Sequence, residues 1–208
     1  LLDMYNSCSS IDDIVDYLVS LTLCEPTNKF EVPDLEDETT YDHLRVVMIS
    51  TSRNEELLRT IPFIRVPNTD LVAILKYQYR IDDNYDNMIT ITNHALEKAD
   101  GVTAAKLFEA AFRNLNRDRI SFRNMTEVLR DFGIDLKDLE CEEDGEDCEE
   151  DMPLYMLHNA DAKTYGAAIM LKTGCLEYVR NAVGDFYILP SSVHELMISP
   201  KYANLQHS

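Results

Sequence analysis

The chain is predicted to fold as an α+β domain: an antiparallel sheet of about five or six strands with helices packed on it, plus an N-terminal helical part. Three observations predict it. Apolar, β-rich runs come in pairs joined by short polar links, as hairpins require. Segments with apolar residues at helical spacing, opened by Thr or Asn and closed by Gly, stand between the pairs. Hydrophobic residues make up 45% of 208, enough for a core and too many for general disorder.

In chain order, Ser9 and Ser10 precede Ile11, Ile14, Val15 and Leu18, which predicts a first helix over 11–22. A linking stretch with two prolines and many acids follows. Residues 40–50 carry Leu44, Val47 and Met48 at helical spacing, although Val46–Ile49 also reads as a strand; the spacing favours a helix. Thr51 or Ser52 then caps a short helix, RNEELLRT, which ends before Pro62. These elements form an N-terminal helical segment, 1–62, ahead of an α+β domain, 63–208.

LVAILKYQYR (71–80) is continuously apolar and then alternates, as a strand leaving the core does; the link DDNYDN turns it into MITITN. Thr92 or Asn93 caps a short helix that Gly101 ends. Thr103 opens a longer one, AAKLFEAAFRNLNR, with Leu107, Phe108, Ala111 and Leu115 turned inward. Asn124 and Glu127 form a capping pair for the next helix, and Gly133 terminates it. LYMLHN and YGAAIML then read as a second strand pair. GCLEYVRNAVG reads as a helix with Leu176, Val179 and Val183 on one face, and DFYILP as a closing strand. The strands 71–79, 88–92, 154–157, 165–171 and 186–189 are expected in one sheet.

Net charge is −19. Ten acidic residues and no basic one fall between Asp138 and Asp151, so the remainder carries −19 + 10 = −9. This predicts an acidic loop and excludes binding to a nucleic-acid backbone, which needs clustered Lys and Arg. No apolar run is long enough to span a membrane, and the first residues lack a signal peptide's basic start. Cys8, Cys24, Cys141, Cys148 and Cys175 contain no C-x-x-C, which predicts reduced thiols and a cytoplasmic setting. No zinc-ligand spacing, phosphate-binding glycine loop or nucleophile elbow occurs, so no metal and no cofactor is expected.

The polar cluster that could carry chemistry lies after Pro190: Ser191, Ser192, His194 and Glu195. Extended, Ser192 and His194 share one face; helical, Ser192 to Glu195 is an S-x-x-E capping box. His194-Glu195 does not begin a zinc-protease motif, because Ile198 stands where the second His belongs. If the domain is an enzyme, Ser192, His194 and Glu195 are the candidate catalytic residues, with Ser192 forming its own turn. As a binding site, His194 would be joined by two other strand-end pairs, Asn93-His94 and His158-Asn159.

Several stretches resemble a clostridial family catalogued as domain of unknown function 5688: LDMYNSCSSIDDIVDYL, RNEELLRTIPFI, ITITNHALEKADGVTAAKLFEAAFRN, PLYMLHNADAKTYGAAIML and DFYILPSSVHELMISP. The likeness covers most of the chain and is remotely shared with the YtpQ-like family of bacilli. It implies a bacterial source and a protein that extends beyond both ends of these residues; it brings no catalytic residues. The expected function is a non-enzymatic protein-binding or adaptor module, whose partner is another protein and not a membrane. The alternatives are a hydrolase-type enzyme using the His194 region and an acidic decoy for a nucleic-acid-binding protein.

Overall fold

A computed structural model describes residues 33–80, 86–134, 154–162 and 164–201. The architecture below is that of the unit Asp34–Ser208. The predicted first helix, 11–22, and the acidic loop, 138–151, lie outside the described residues.

The class is α+β, and all strand pairing among the described residues is antiparallel. After a 3-10 turn, Glu38–His43, come β1 (Leu44–Ser50), α1 (Glu55–Leu58), β2 (Phe63–Arg65), β3 (Leu71–Arg80) and β4 (Asp86–Thr90). Then follow α2 (Asn93–Lys98), α3 (Ala104–Arg117), β5 (Ile120–Asn124), α4 (Met125–Asp131) and β6 (Tyr155–Asn159). A second 3-10 helix (Gly166–Leu171), α5 (Cys175–Val183), β7 (Phe186–Pro190) and β8 (Leu196–Pro200) complete the unit.

The single sheet expected from sequence is in fact two. In the first, β3 is the hub: β1 pairs along one side, while β2 and β4 share the other, β2 at residues 72–74 and β4 at 76–80. The second has the order β5-β6-β8-β7.

β1 replaces the helix expected over 40–50. Its register sets Val46 opposite Leu75 and Val47 opposite Ile74, so both faces are covered. Leu44, Val46 and Met48 join the main core, whereas Val47 joins Val72, Ile74 and Ile61 on the far face. A strand buried on both faces shows no alternation, and its apolar run mimics a helix.

The strand expected over 165–171 is also overturned. Tyr165 sits at φ 59°, ψ 29°, in the left-handed region, and the small residues Gly166, Ala167 and Ala168 that follow wind into the buried 3-10 helix. β6 finds its neighbours in β5 and β8 instead. β2 and β5 are strands the sequence reading did not include.

The helix signals act largely as expected. Thr92, Thr103 and Asn124 accept hydrogen bonds from the backbone N–H groups of Ala95, Lys106 and Thr126, so each is a working N-cap. At α1 the cap is Asn54, without a side-chain bond, in place of Thr51 or Ser52. α3 buries Leu107, Phe108, Ala111 and Leu115 against the main core. On α5 the buried residues are Cys175 and Val179, while Leu176, expected on one face with Val179 and Val183, is 37% exposed.

One buried polar residue ties these layers together. Asn114 of α3 donates its amide to the carbonyls of Tyr41 (2.7 Å), Leu44 (3.0 Å) and Asp42 (3.3 Å). It thereby satisfies the carbonyls where the first 3-10 turn passes into β1.

Candidate functional site

The β7–β8 hairpin closes through residues 191–195, and Ser192 holds that loop together. Its Oγ donates to Glu195 Oε1 at 2.7 Å and accepts the N–H groups of His194 (2.9 Å) and Glu195 (3.3 Å). The Ser192 N–H in turn donates to the Glu195 carbonyl at 3.3 Å. The S-x-x-E pattern thus forms a hydroxyl-bridged turn between strands instead of a helix start.

This loop is docked on the segment before the second 3-10 helix. His194 Nδ1 accepts the Tyr165 N–H at 2.9 Å, which places that ring's proton on Nε2, and the Ala167 N–H donates to the Val193 carbonyl at 3.3 Å. The Tyr165 ring lies 5.7 Å from the His194 ring and 4.8 Å from the Lys76 ammonium. Gly166 is the pivot. A Cβ there would stand 2.6 Å from the His194 carbonyl oxygen, 3.1 Å from the Asn159 nitrogen and 3.4 Å from the His158 Cβ.

His194, His158 and Asn159 therefore do meet, around Gly166, although through backbone more than through their side chains. His158 Nδ1 donates to the neighbouring Asn159 carbonyl (3.1 Å). Asn159 is buried; its amide donates to Asp118 (2.6 Å), and its oxygen accepts the Asp161 N–H (2.9 Å). Asn93 and His94 stand at the start of α2, where the Asn93 N–H donates to the Thr60 carbonyl and exposed His94 faces Glu97. No described hydrogen bond joins that pair to the other three.

Beyond Asn159 a clasp pins the open end of the β5–β6 pair. Arg119 grips Asp161 through Nε (2.8 Å), Nη2 (2.6 Å) and its backbone N–H (2.7 Å). These bonds hold the Asp161 carboxyl below its usual range and push the arginine higher. Lys172 caps the end of α3, donating to the Asn116 and Asp118 carbonyls, both at 2.6 Å.

Two concavities flank the 165–168 segment on which the loop docks. One, about 160 Å³, lies beside β1 and is bordered by Arg45, Asp118, Asn159, Asp161 and Thr164. The larger, about 320 Å³, runs between the turn leaving β1 and the β7–β8 loop. Met48, Ile49, Leu71, Ala167, Val193 and Leu196 form its apolar floor; Ser50, Arg53, Asn54, Ser191 and Ser192 form its rim. The rim on the β1 side is tied by hydrogen bonds. Asp70 accepts from Ser50 Oγ (2.7 Å) and Ser52 Oγ (2.8 Å), bonds that keep its carboxyl below the usual range. Ser192 lines this groove, and Asn159 lines the smaller cavity. His194, His158, Asn93 and His94 line neither.

The groove was missed in the sequence because its walls come from residues 48–54 and 190–196, far apart in the chain. No group of three or more His, Cys, Asp or Glu among the described residues is placed to hold a metal. Cys175 is a free, buried thiol, pushed up to about 11 by desolvation. No described helix is long and apolar enough to cross a membrane.

These features define an α+β protein with two four-stranded antiparallel sheets and a groove at the hairpin loop of the second. The chain belongs to the family of unknown function DUF5688, whose model matches residues 1–208. No curated protein and no solved structure matches it.

Proposed function

We propose that the protein is a binding module that takes a short segment of a partner protein in the 320 Å³ groove. The observation that carries this reading is the composition of the groove: an apolar floor with Arg53 as the one charged side chain among its lining residues. Such a site suits an apolar side chain with a carboxylate next to it, the first desolvated on the floor and the second met by the guanidinium. Its volume lies at the small end of ligand sites, about 300–1,000 Å³.

The hydrogen bonding of the loop supports binding over hydrolysis. The Ser192 hydroxyl donates to Glu195 and the His194 Nδ1 is engaged by a backbone amide, so neither is paired as nucleophile and base. A net charge of −19 weighs against a nucleic-acid backbone as the partner.

The test is selection from a displayed peptide library, followed by fluorescence polarisation with the selected peptides. Peptides pairing an apolar residue with an acidic one are expected. Ser191→Trp at the groove mouth and Arg53→Glu at its rim should each weaken them at least about tenfold, and His94→Ala should not. Peptides that bind Ser191→Trp and Arg53→Glu as well as wild type would refute the reading.

A further inference from the structure

β7 ends the second sheet, so one side of it meets no described strand. Which of its groups face outward follows from the register. The Lys201 N–H donates to the Asp185 carbonyl at 2.8 Å, and the ladder continues with Tyr187 opposite Ser199 and Leu189 opposite Met197. Because hydrogen-bonded and non-hydrogen-bonded pairs alternate, Asp185, Tyr187 and Leu189 bond to β8. The N–H groups of Phe186 and Ile188, and the carbonyls of Phe186, Ile188 and Pro190, point to the open edge.

Exposed edges are ordinarily guarded by charge or irregularity. From Phe186 to Pro190 there is no charged residue, in a chain of net charge −19. On the solvent face the strand's own side chains are Tyr187, 57% exposed, with the Lys201 ammonium 5.7 Å from its ring, and Leu189, 49% exposed.

We propose that β7 pairs antiparallel with β7 of a second copy, centred on Ile188, joining two sheets of 4 strands into one of 4 + 4 = 8. The two Ile188 residues exchange both backbone bonds, and each Phe186 N–H meets the second copy's Pro190 carbonyl. Every outward donor is then used, and the donor that proline lacks is missed only by the Phe186 carbonyl. On the solvent face Tyr187 covers the second copy's Leu189, and the same contact recurs by symmetry. Asp185 falls opposite Ser191, so no like charges are opposed. A register centred on Tyr187 would set Asp185 against Leu189 and cover less apolar surface.

The test is sedimentation of the full chain from micromolar to millimolar concentration. Wild type should dimerise reversibly. Tyr187→Lys with Leu189→Lys opposes lysines twice and should raise the dissociation constant at least about tenfold. Tyr187→Glu with Leu189→Lys sets each lysine against a glutamate across the interface and should restore most of the loss. In wild type, hydrogen exchange at the Phe186 and Ile188 amides should slow as concentration rises, which needs no variant to fold. A monomer at every concentration, a dimer indifferent to the double lysine change, or exchange independent of concentration would each overturn the proposal.

Discussion

Gly166→Ala probes the docking of the hairpin loop directly. The added Cβ would sit 2.6 Å from the His194 carbonyl oxygen and 3.1 Å from the Asn159 nitrogen, both backbone atoms. Ordinary contact needs about 3.4 Å or more, so the two must separate by the best part of an ångström. Two responses compete. If the chain holds, the overpacking costs about 1–3 kcal/mol. If the loop swings outward, it gives up the Tyr165–His194 and Ala167–Val193 bonds, at about 1 kcal/mol each. Either way the loss should be about 1–3 kcal/mol, since the chain takes the cheaper response. Urea unfolding followed by circular dichroism measures it; with no tryptophan in the chain, tyrosine emission is the fluorescent alternative. A swung loop also frees the His194 ring from Tyr165, which moves its imidazole NMR signals. A variant within about 0.5 kcal/mol of wild type, with those signals in place, would refute the docked arrangement.

Asn114→Leu removes the donor for the buried carbonyls of Tyr41 and Leu44, so urea unfolding should report a loss of about 2–4 kcal/mol. Asn116→Ala, at an exposed acceptor of the Thr173 N–H, should lose less than about 1 kcal/mol. Asp161 has a folded-state pKa lowered first by its side-chain bonds to Arg119, so its contribution is present above the unfolded value of 3.8 and fades as pH falls through the folded one. The stability gap between wild type and Asp161→Asn should therefore be full near neutrality and close in acid. A gap unchanged down to about pH 2 would show that the carboxylate is not what Arg119 holds.

How much of this was legible depended on how local each signal was. α3 was readable because Thr103 caps it and Leu107, Phe108, Ala111 and Leu115 repeat at its own period. The Ser192 turn was readable because its partners are two and three residues away. β1 was not, since burial on both faces erases the alternation that marks a strand. The second 3-10 helix was not, since a left-handed Tyr165 has no sequence signature and GAAIML suits several conformations. Two sheets cannot be told from one when β6 skips past α5 and β7 to pair with β8. The groove was hidden for the same reason: Arg53 and Ser191 become neighbours only when both sheets are in place.

The hub position of β3 also bears on the order in which the chain can be safely made. The far face of the first sheet is covered mainly from nearby sequence: Ile61, Leu58, Phe63 and Met88 lie within a few dozen residues of Val47, Val72 and Ile74. The main-core face of the same strands waits for Leu107, Phe108 and Leu115, and then for Ile169, Leu196 and Ile198. A ribosome that has released β4 but not α3 thus presents a sheet with one side dressed and the other bare. Nascent chains halted with β4 outside the exit tunnel and α3 still inside it should be held by chaperones that bind apolar surface, and chains halted with α3 also outside should be held less. Equal retention at both lengths would mean that β3 does not gather its neighbours during synthesis.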